Sequence, residues 1–409
     1  MTSHNHPSGQ AQATAGALAR LKVLELGQLI AGPFAGKTLA DFGADVIKIE
    51  PVDGGDPLRR WRLLRDGTSV WWEVQSRNKR SVALDLRTPE GQDAVRALAA
   101  EADVLIENFK PGTLEGWGLG WDALHAANPK LIMLRVSGYG QSGPYRDKPG
   151  FGVLGEAMGG WRYIVGEPDR PPSRMGVSIG DTLTATYGCM GVLAALHVKE
   201  KTGRGQVIDT ALYESVLQVM EGLVPEYDRM GLIRERSGSI LKGIAPSNVY
   251  SCKDGEFMIG ANKDSLWKRL AVAMDRPDLG DDPRYATHLA RGENQDELDA
   301  LINDWTRGLT MDEVDALMIA HSIPAGRVYR APDMLEDPHF KAREAIIEVE
   351  TERFGPLKMQ SSFPKFSATP GGVRRPAPST IGQHNAEIYG DLLGISADEL
   401  ADMAAKGVI

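Results

Sequence analysis

Cysteine is nearly missing from this sequence: Cys189 and Cys252 are the only two in 409 residues. That excludes a disulfide framework and any CxxC-type metal site, and it points to a reducing, intracellular setting, taken here as cytoplasmic. Positive charge is also short. Lys and Arg number 46 against 55 Asp and Glu, a formal net charge of −9, which argues against bulk binding to nucleic acid or to an anionic membrane. Any anionic ligand has to meet local basic residues. The first twenty residues lack the basic and apolar regions of a signal peptide and read as a flexible polar tail; His4 and His6 are too isolated to suggest a metal. Long uncharged runs are scarce as well. Gly176 to Leu196 carries no charge except Asp181, but its Ser, Thr, Tyr and repeated Gly make it too polar for a membrane span. A buried helix is the better reading. What remains, 42% hydrophobic and 25% charged residues with 46 Gly and 24 Pro, is ordinary for a globular enzyme of two or three domains.

From Leu21 onward the pattern alternates strand and helix. "LKVLELG", "DVIKIE", "DVLIENF" and "LIMLRVSG" are short apolar runs, and "PFAGKTLADFG" and "GWDALHAANP" are amphipathic. In "TPEGQDAVRALAAEA" Thr88 can cap a helix and Pro89 takes its first position. Such alternation implies an α/β fold with a parallel sheet and right-handed crossovers, whose ligands bind beyond the carboxyl ends of the strands. "GYGQSGPY", 138–145, formally contains GxGxxG, but Pro144 and "RDKPGFG" stop a helix from opening inside it. An NAD site is therefore not expected. Residues 21–233 read as a large domain, 234–248 as a linker, 249–330 as a smaller α+β domain, and 331–409 as a return segment that completes the large domain.

Asp181 raises the functional question, because it stands alone at the head of a small, apolar run. The plain reading is an N-cap, whose carboxylate accepts from the first amides of the helix. Several segments, in order along nearly the whole chain, point further. "AGPFAG" (31–36), "LADFGADVIKIEP" (39–51), "NKRSVALDL" (78–86), "ADVLIENFKPG" (102–112), "GDTLTATYGCMGVLAALHVKEKTGRGQ" (180–206) and "IPAGRV" (323–328) together resemble the class III CoA-transferases. That family includes formyl-CoA transferase-like and carnitine-CoA transferase-like enzymes and the α-methylacyl-CoA racemases.

The resemblance implies a Rossmann-like large domain, a smaller α+β domain and two chains interlocked as a homodimer, with no nucleic-acid or membrane partner. It implies an enzyme that moves CoA from an acyl-CoA to a carboxylic acid, with coenzyme A entering as substrate and neither metal nor NAD required. By motif, Asp181 is the catalytic nucleophile. Ile30 and Ala31 flank the pantetheine path, and Leu84, Arg87, Asn108, Phe109, Thr113 and Trp117 surround the adenine and phosphates. Ile30 stands where formyl-CoA transferase-like members have Gln, and the consecutive glycines that close their site are reduced to Gly238 and Gly243. Arg59, Arg60, Arg62, Lys79 and Arg80 are either a phosphate-binding set or a solvated surface. Arg174 either contacts the distal carboxylate of a dicarboxylate such as succinate or is a structural ion-pair partner. In the racemase branch a His stands where this chain has Phe151, and the remaining candidates, His125 and His197, lie outside the motif. A racemase-like enzyme and a non-catalytic CoA-binding protein are the alternative functions.

Overall fold

The computed structural model describes residues 16–409. The chain divides into two compact units, one holding the residues up to Trp161 with Gly176–Glu221 and His339–Ile409, the other Arg162–Met175 with Gly222–Pro338. The first unit is built on six parallel strands: β1 (Lys22–Glu25), β2 (Asp45–Glu50), β3 (Lys79–Ala83), β4 (Val104–Glu107), β5 (Ile132–Ser137) and β6 (Val207–Ala211). Their spatial order is β3-β2-β1-β4-β5-β6. This is the doubly wound order, which reverses between β1 and β4.

Strand periodicity sends alternate residues to opposite faces, and each face is covered by helices. Val23, Val46, Val104, Ile132 and Leu134 pack against α1 (Ala31–Asp41) and α4 (Ile179–Thr202). Leu24, Ile47, Ile49, Leu105 and Met133 pack against α2 (Pro89–Glu101) and the chain end, including Tyr389 and Val408. Each enclosed aliphatic side chain contributes about 1.5–3 kcal/mol. Helix α2 starts as its residues dictate, with the Thr88 hydroxyl accepting from the Gly91 amide and Pro89 inside the first turn. Two further short helices, α3 (Gly152–Met158) and α5 (Leu212–Leu217), pack against the first turns of α4.

Several expectations change. Residues 1–15 of the expected N-terminal tail lie outside the described residues, but 16–20 are tied down: the Leu18 amide donates to the Phe42 carbonyl at 2.9 Å. Helix α4 is buried on one face only. Thr184, Ala185, Gly188, Cys189 and Val192 are enclosed, whereas Met190 and Leu193 are exposed. The segment 234–248 is no free linker. Gly238 N bonds Gly166 O at 3.0 Å and Arg236 bonds Tyr163 O at 3.0 Å, so it belongs with 162–175 to the second unit. That unit holds the antiparallel strands β7 (Ser247–Ser251), β8 (Glu256–Gly260) and β9 (Ala325–Arg327) over a core of Phe257, Trp267, Leu298 and Val314. Ala325–Arg327, within the "IPAGRV" motif, is thus an edge strand of that sheet. The return to the first unit begins at His339 rather than at 331, because Ala331–Glu336 is a helix of the second unit.

The returning segment covers the edge of β3. His384 N donates to Ser81 O at 2.9 Å, Ser81 N donates to His384 Nδ1 at 3.0 Å, and Ala83 N donates to Asn385 Oδ1 at 2.9 Å. Burial and the adjacent Arg375 hold the His384 pKa below its ordinary 6.5. A depressed histidine pKa means the unfolded chain binds the proton more readily, so this contribution to stability is complete above about pH 6.5 and is lost as the pH falls below it. Thermal melts between pH 7.5 and 5 are expected to show a shallower pH dependence in His384→Gln than in the wild type. Equal slopes would remove His384 from the account.

Candidate active site

A cleft of about 680 Å³ opens at the carboxyl ends of β1, β2, β3 and β4. It is lined by Leu26 and Gln28 after β1, by Pro51, Val52 and Asp53 after β2, by Leu84, Asp85 and Arg87 after β3, and by Phe109 and Trp117 beyond β4. Four residues named from sequence, Leu84, Arg87, Phe109 and Trp117, thus meet in one site. Phe109 and Trp117 stand edge to face at 5.4 Å, one wall of the cleft. Arg87 is exposed at the rim and paired with Asp85 at 2.8 Å. Asn108 backs the cleft, its amide pairing with both backbone groups of Gln28 at 2.8 Å. Thr113 opens the short helix that carries Trp117 and does not line the cleft. Ile30 and Ala31 start α1 with their side chains buried. Gln28, Pro51, Val52 and Asp53 were missed from sequence. Their position just past strand ends was the available signal.

Asp181 is not an N-cap. Helix α4 begins at Ile179 after Ser178, so Asp181 is its third residue, within the first turn, and the N-cap residue is Ser178, whose side chain makes no cap. The hydroxyls of Thr182 and Thr184 bond the carbonyls four residues back, at 3.0 and 2.8 Å. They are occupied within the helix. The half-buried carboxylate lies instead against the first residue of α3: a Cβ on Gly152 would stand 2.1 Å from Asp181 Oδ2. Gly180 in turn approaches the Gly152 carbonyl, and Gly155 and Gly159 admit Leu212 and Val216. Glycines thus let α3 close on the carboxylate and α5 close on α3, and a helix start favours an anionic group.

Other sequence candidates fall elsewhere. Arg59 is enclosed, bonded to Glu50 at 2.7 Å with its guanidinium 3.8 Å over Trp72. Lys79 pairs with Glu25 at 2.8 Å, and Arg80 with Asp45 and Glu387. Arg60 bonds the Gly54 carbonyl, and Arg62 lies 4.8 Å over Trp71. The proposed phosphate-binding set is therefore corrected, since Arg59 and Lys79 neutralise buried carboxylates and Arg80 two half-exposed ones, pairings that sequence spacing could not reveal. Arg174 is exposed and belongs to the second unit. His125 stacks on Trp121 at 4.3 Å, and His197 lies sixteen residues beyond Asp181, about 24 Å along the helix. Phe151, exposed, precedes α3. No helix opens inside 138–143, where Gly140 and Gly143 turn the chain with φ of 89° and 86°. Among the described residues no group of three or more His, Cys, Asp or Glu is placed to hold a metal ion.

The model of CoA-transferase family III matches residues 18–385. The chain is 56% identical over 391 residues, 95% of its length and 97% of the relative's, to a succinyl-CoA–D-citramalate CoA-transferase of Chloroflexus aurantiacus. It is 43% identical, over 96% of its length and 98% of the relative's, to the beta subunit of a succinyl-CoA–L-malate CoA-transferase of the same organism. A crystal structure of a CaiB/BaiF family protein from Brucella suis superposes with a TM-score of 0.82 at 35% identity, covering 92% of this chain and all of that one. The chain belongs to CoA-transferase family III and is a CoA-transferring enzyme.

Gly152 tests whether the carboxylate must sit where it does. The methyl group of Gly152→Ala would have to displace the Asp181 carboxylate, and a misplacement of about 1 Å costs on the order of 10²-fold in rate. CoA-transfer turnover is expected to fall by about that factor with the melting temperature nearly unchanged. Full turnover would contradict the placement.

Proposed function

We propose that the enzyme moves CoA from succinyl-CoA to a dicarboxylic acid, with Asp181 as covalent nucleophile. The observation that carries the reading is the carboxylate in the first turn of α4, packed against Gly152 at the start of α3. In this reading an Asp181 oxygen attacks the thioester carbonyl, and CoA thiolate leaves to give a succinyl–aspartyl anhydride. The thiolate then attacks the aspartyl carbonyl, succinate departs, and Asp181 carries CoA as a thioester. The acceptor carboxylate attacks that thioester and expels the thiolate, which attacks the acceptor's acyl carbon and frees Asp181. Each exchange trades bonds of similar energy, so no ATP enters. Backbone amides at the helix starts are suited to stabilise the oxyanions.

Ile30, Ala31, Leu84, Arg87, Asn108, Phe109, Thr113 and Trp117 are proposed to receive CoA. For Leu84, Arg87, Phe109 and Trp117 the cleft they line at the carboxyl ends of the strands supports this. Two relatives are named for D-citramalate and L-malate, both 2-hydroxydicarboxylates, which supports an acceptor of that class. Arg174 is proposed to meet its distal carboxylate. A homodimer of interlocked chains is supported by apolar surface left open on α4 and by the helix Leu223–Met230, none of whose residues is buried. A stable folded monomer in light scattering would refute it.

The test is a panel of mono- and dicarboxylates offered with succinyl-CoA to wild type, Asp181→Asn and Arg174→Ala. Asp181→Asn is expected to keep the fold and lose turnover by several orders of magnitude. Arg174→Ala is expected to raise KM for dicarboxylates only. Turnover by Asp181→Asn near the wild-type rate would defeat the mechanism.

A further inference from the structure

The segment Gly27–Pro33, the turn after β1 and the first residues of α1, lies where the strand order reverses, and its Gln28 lines the cleft. Its backbone is held from beneath, group by group. Lys48 Nζ donates to Gly27 O at 2.9 Å, and Asp56 accepts from the Leu29 amide at 3.1 Å. Gln75 Nε2 donates to Ile30 O at 2.9 Å, and Lys79 Nζ donates to Pro33 O at 2.7 Å. Leu29 sits at a φ of 64°, a conformation that a leucine keeps only when its surroundings impose it. The holding groups are themselves fixed. Glu25 binds Lys48 at 3.0 Å and Lys79 at 2.8 Å, and Asp56 binds Lys48 at 2.7 Å, all with side chains at most 1% exposed. Gly36 makes room on α1, since a Cβ there would stand 1.8 Å from Glu25 Oε2.

None of these four holding side chains lines the cleft. Stability alone does not account for them either, because replacing buried ion pairs by apolar residues of similar volume is often neutral or stabilising. We infer that Lys48, Asp56, Gln75 and Lys79 are positioning residues for CoA transfer, which fix the Gly27–Pro33 backbone in the conformation that receives the acyl-CoA arm and act only through that turn. The inference rests on the reading of Ile30 and Ala31 as flanking that arm.

Asp56→Ala, Asp56→Asn and Gln75→Leu in the full chain, assayed with succinyl-CoA alongside thermal melts, test it. Asp56→Asn keeps one oxygen to accept the Leu29 amide, whereas Asp56→Ala keeps none. Asp56→Ala is expected to raise KM for succinyl-CoA and lower kcat, with kcat/KM falling about 10²-fold. Asp56→Asn should recover to within about tenfold of wild type, although both variants lose the charge facing Lys48 and melt earlier. A purely structural role predicts melting changes with kinetics intact, or equal impairment by Ala and Asn. Either result would overturn the inference. Gln75→Leu removes no charge, so it decides alone if Asp56→Ala fails to fold: a raised KM supports positioning, and unchanged kcat and KM overturn it. An Asp181→Asn control separates the levels. If it stays active, the reading of the site has failed; if it is inactive while the turn variants are unimpaired, only the positioning role has failed.

Discussion

Charges buried at the ends of parallel strands must be matched, and this constraint organises the first unit. Lys48, wholly enclosed, faces Glu25 and Asp56; Arg59 faces Glu50; Arg135 faces Glu107 at 2.7 Å. Removing one partner from such a pair leaves an uncompensated charge and costs about 3–5 kcal/mol. The strands "DVIKIE" and "VLIE" are thus bound to one register and one set of neighbours. The matched ends also define what can stand above them. Turns that leave β1, β2 and β4 are anchored on these pairs, and the cleft lies among them and the turn after β3.

The same economy of space governs the carboxylate proposed to do the chemistry. Asp181 stands in the first turn of a 24-residue helix whose inner face is locked against β5 and α1. Its seat is made by removing atoms: Gly152 under the carboxylate, Gly180 beside it, Gly155 and Gly159 behind. Sub-ångström placement of a nucleophile is what covalent catalysis demands, and close glycine packing supplies it on rigid elements.

Local signals in the sequence were sufficient for the elements that carry their own punctuation. Thr88 and Pro89 announced α2, and the short apolar runs announced β1, β2, β4 and β5, because capping and periodicity are properties of neighbouring residues. The cleft was legible in part: Leu84, Arg87, Phe109 and Trp117 followed from motif resemblance. What failed depended on distant partners. Arg59, Lys79 and Arg80 looked like a basic surface until Glu50, Glu25, Asp45 and Glu387 closed on them from 9 to 307 residues away. The stretch 234–248 looked like a linker because its pairing with 162–175 spans some seventy positions. The plain cap reading of Asp181 set the start of α4 three residues late, since Ser178 takes the N-cap position and the helix begins at Ile179.

The central claim is that Asp181 becomes covalently bonded during turnover. Wild-type enzyme incubated with succinyl-CoA and no acceptor, quenched with hydroxylamine and mapped by peptide mass spectrometry, tests it most directly. The account predicts a single hydroxamate, on the peptide containing Asp181 and at that residue. A modification mapped to another residue, or none at all in an enzyme that turns over, would contradict it.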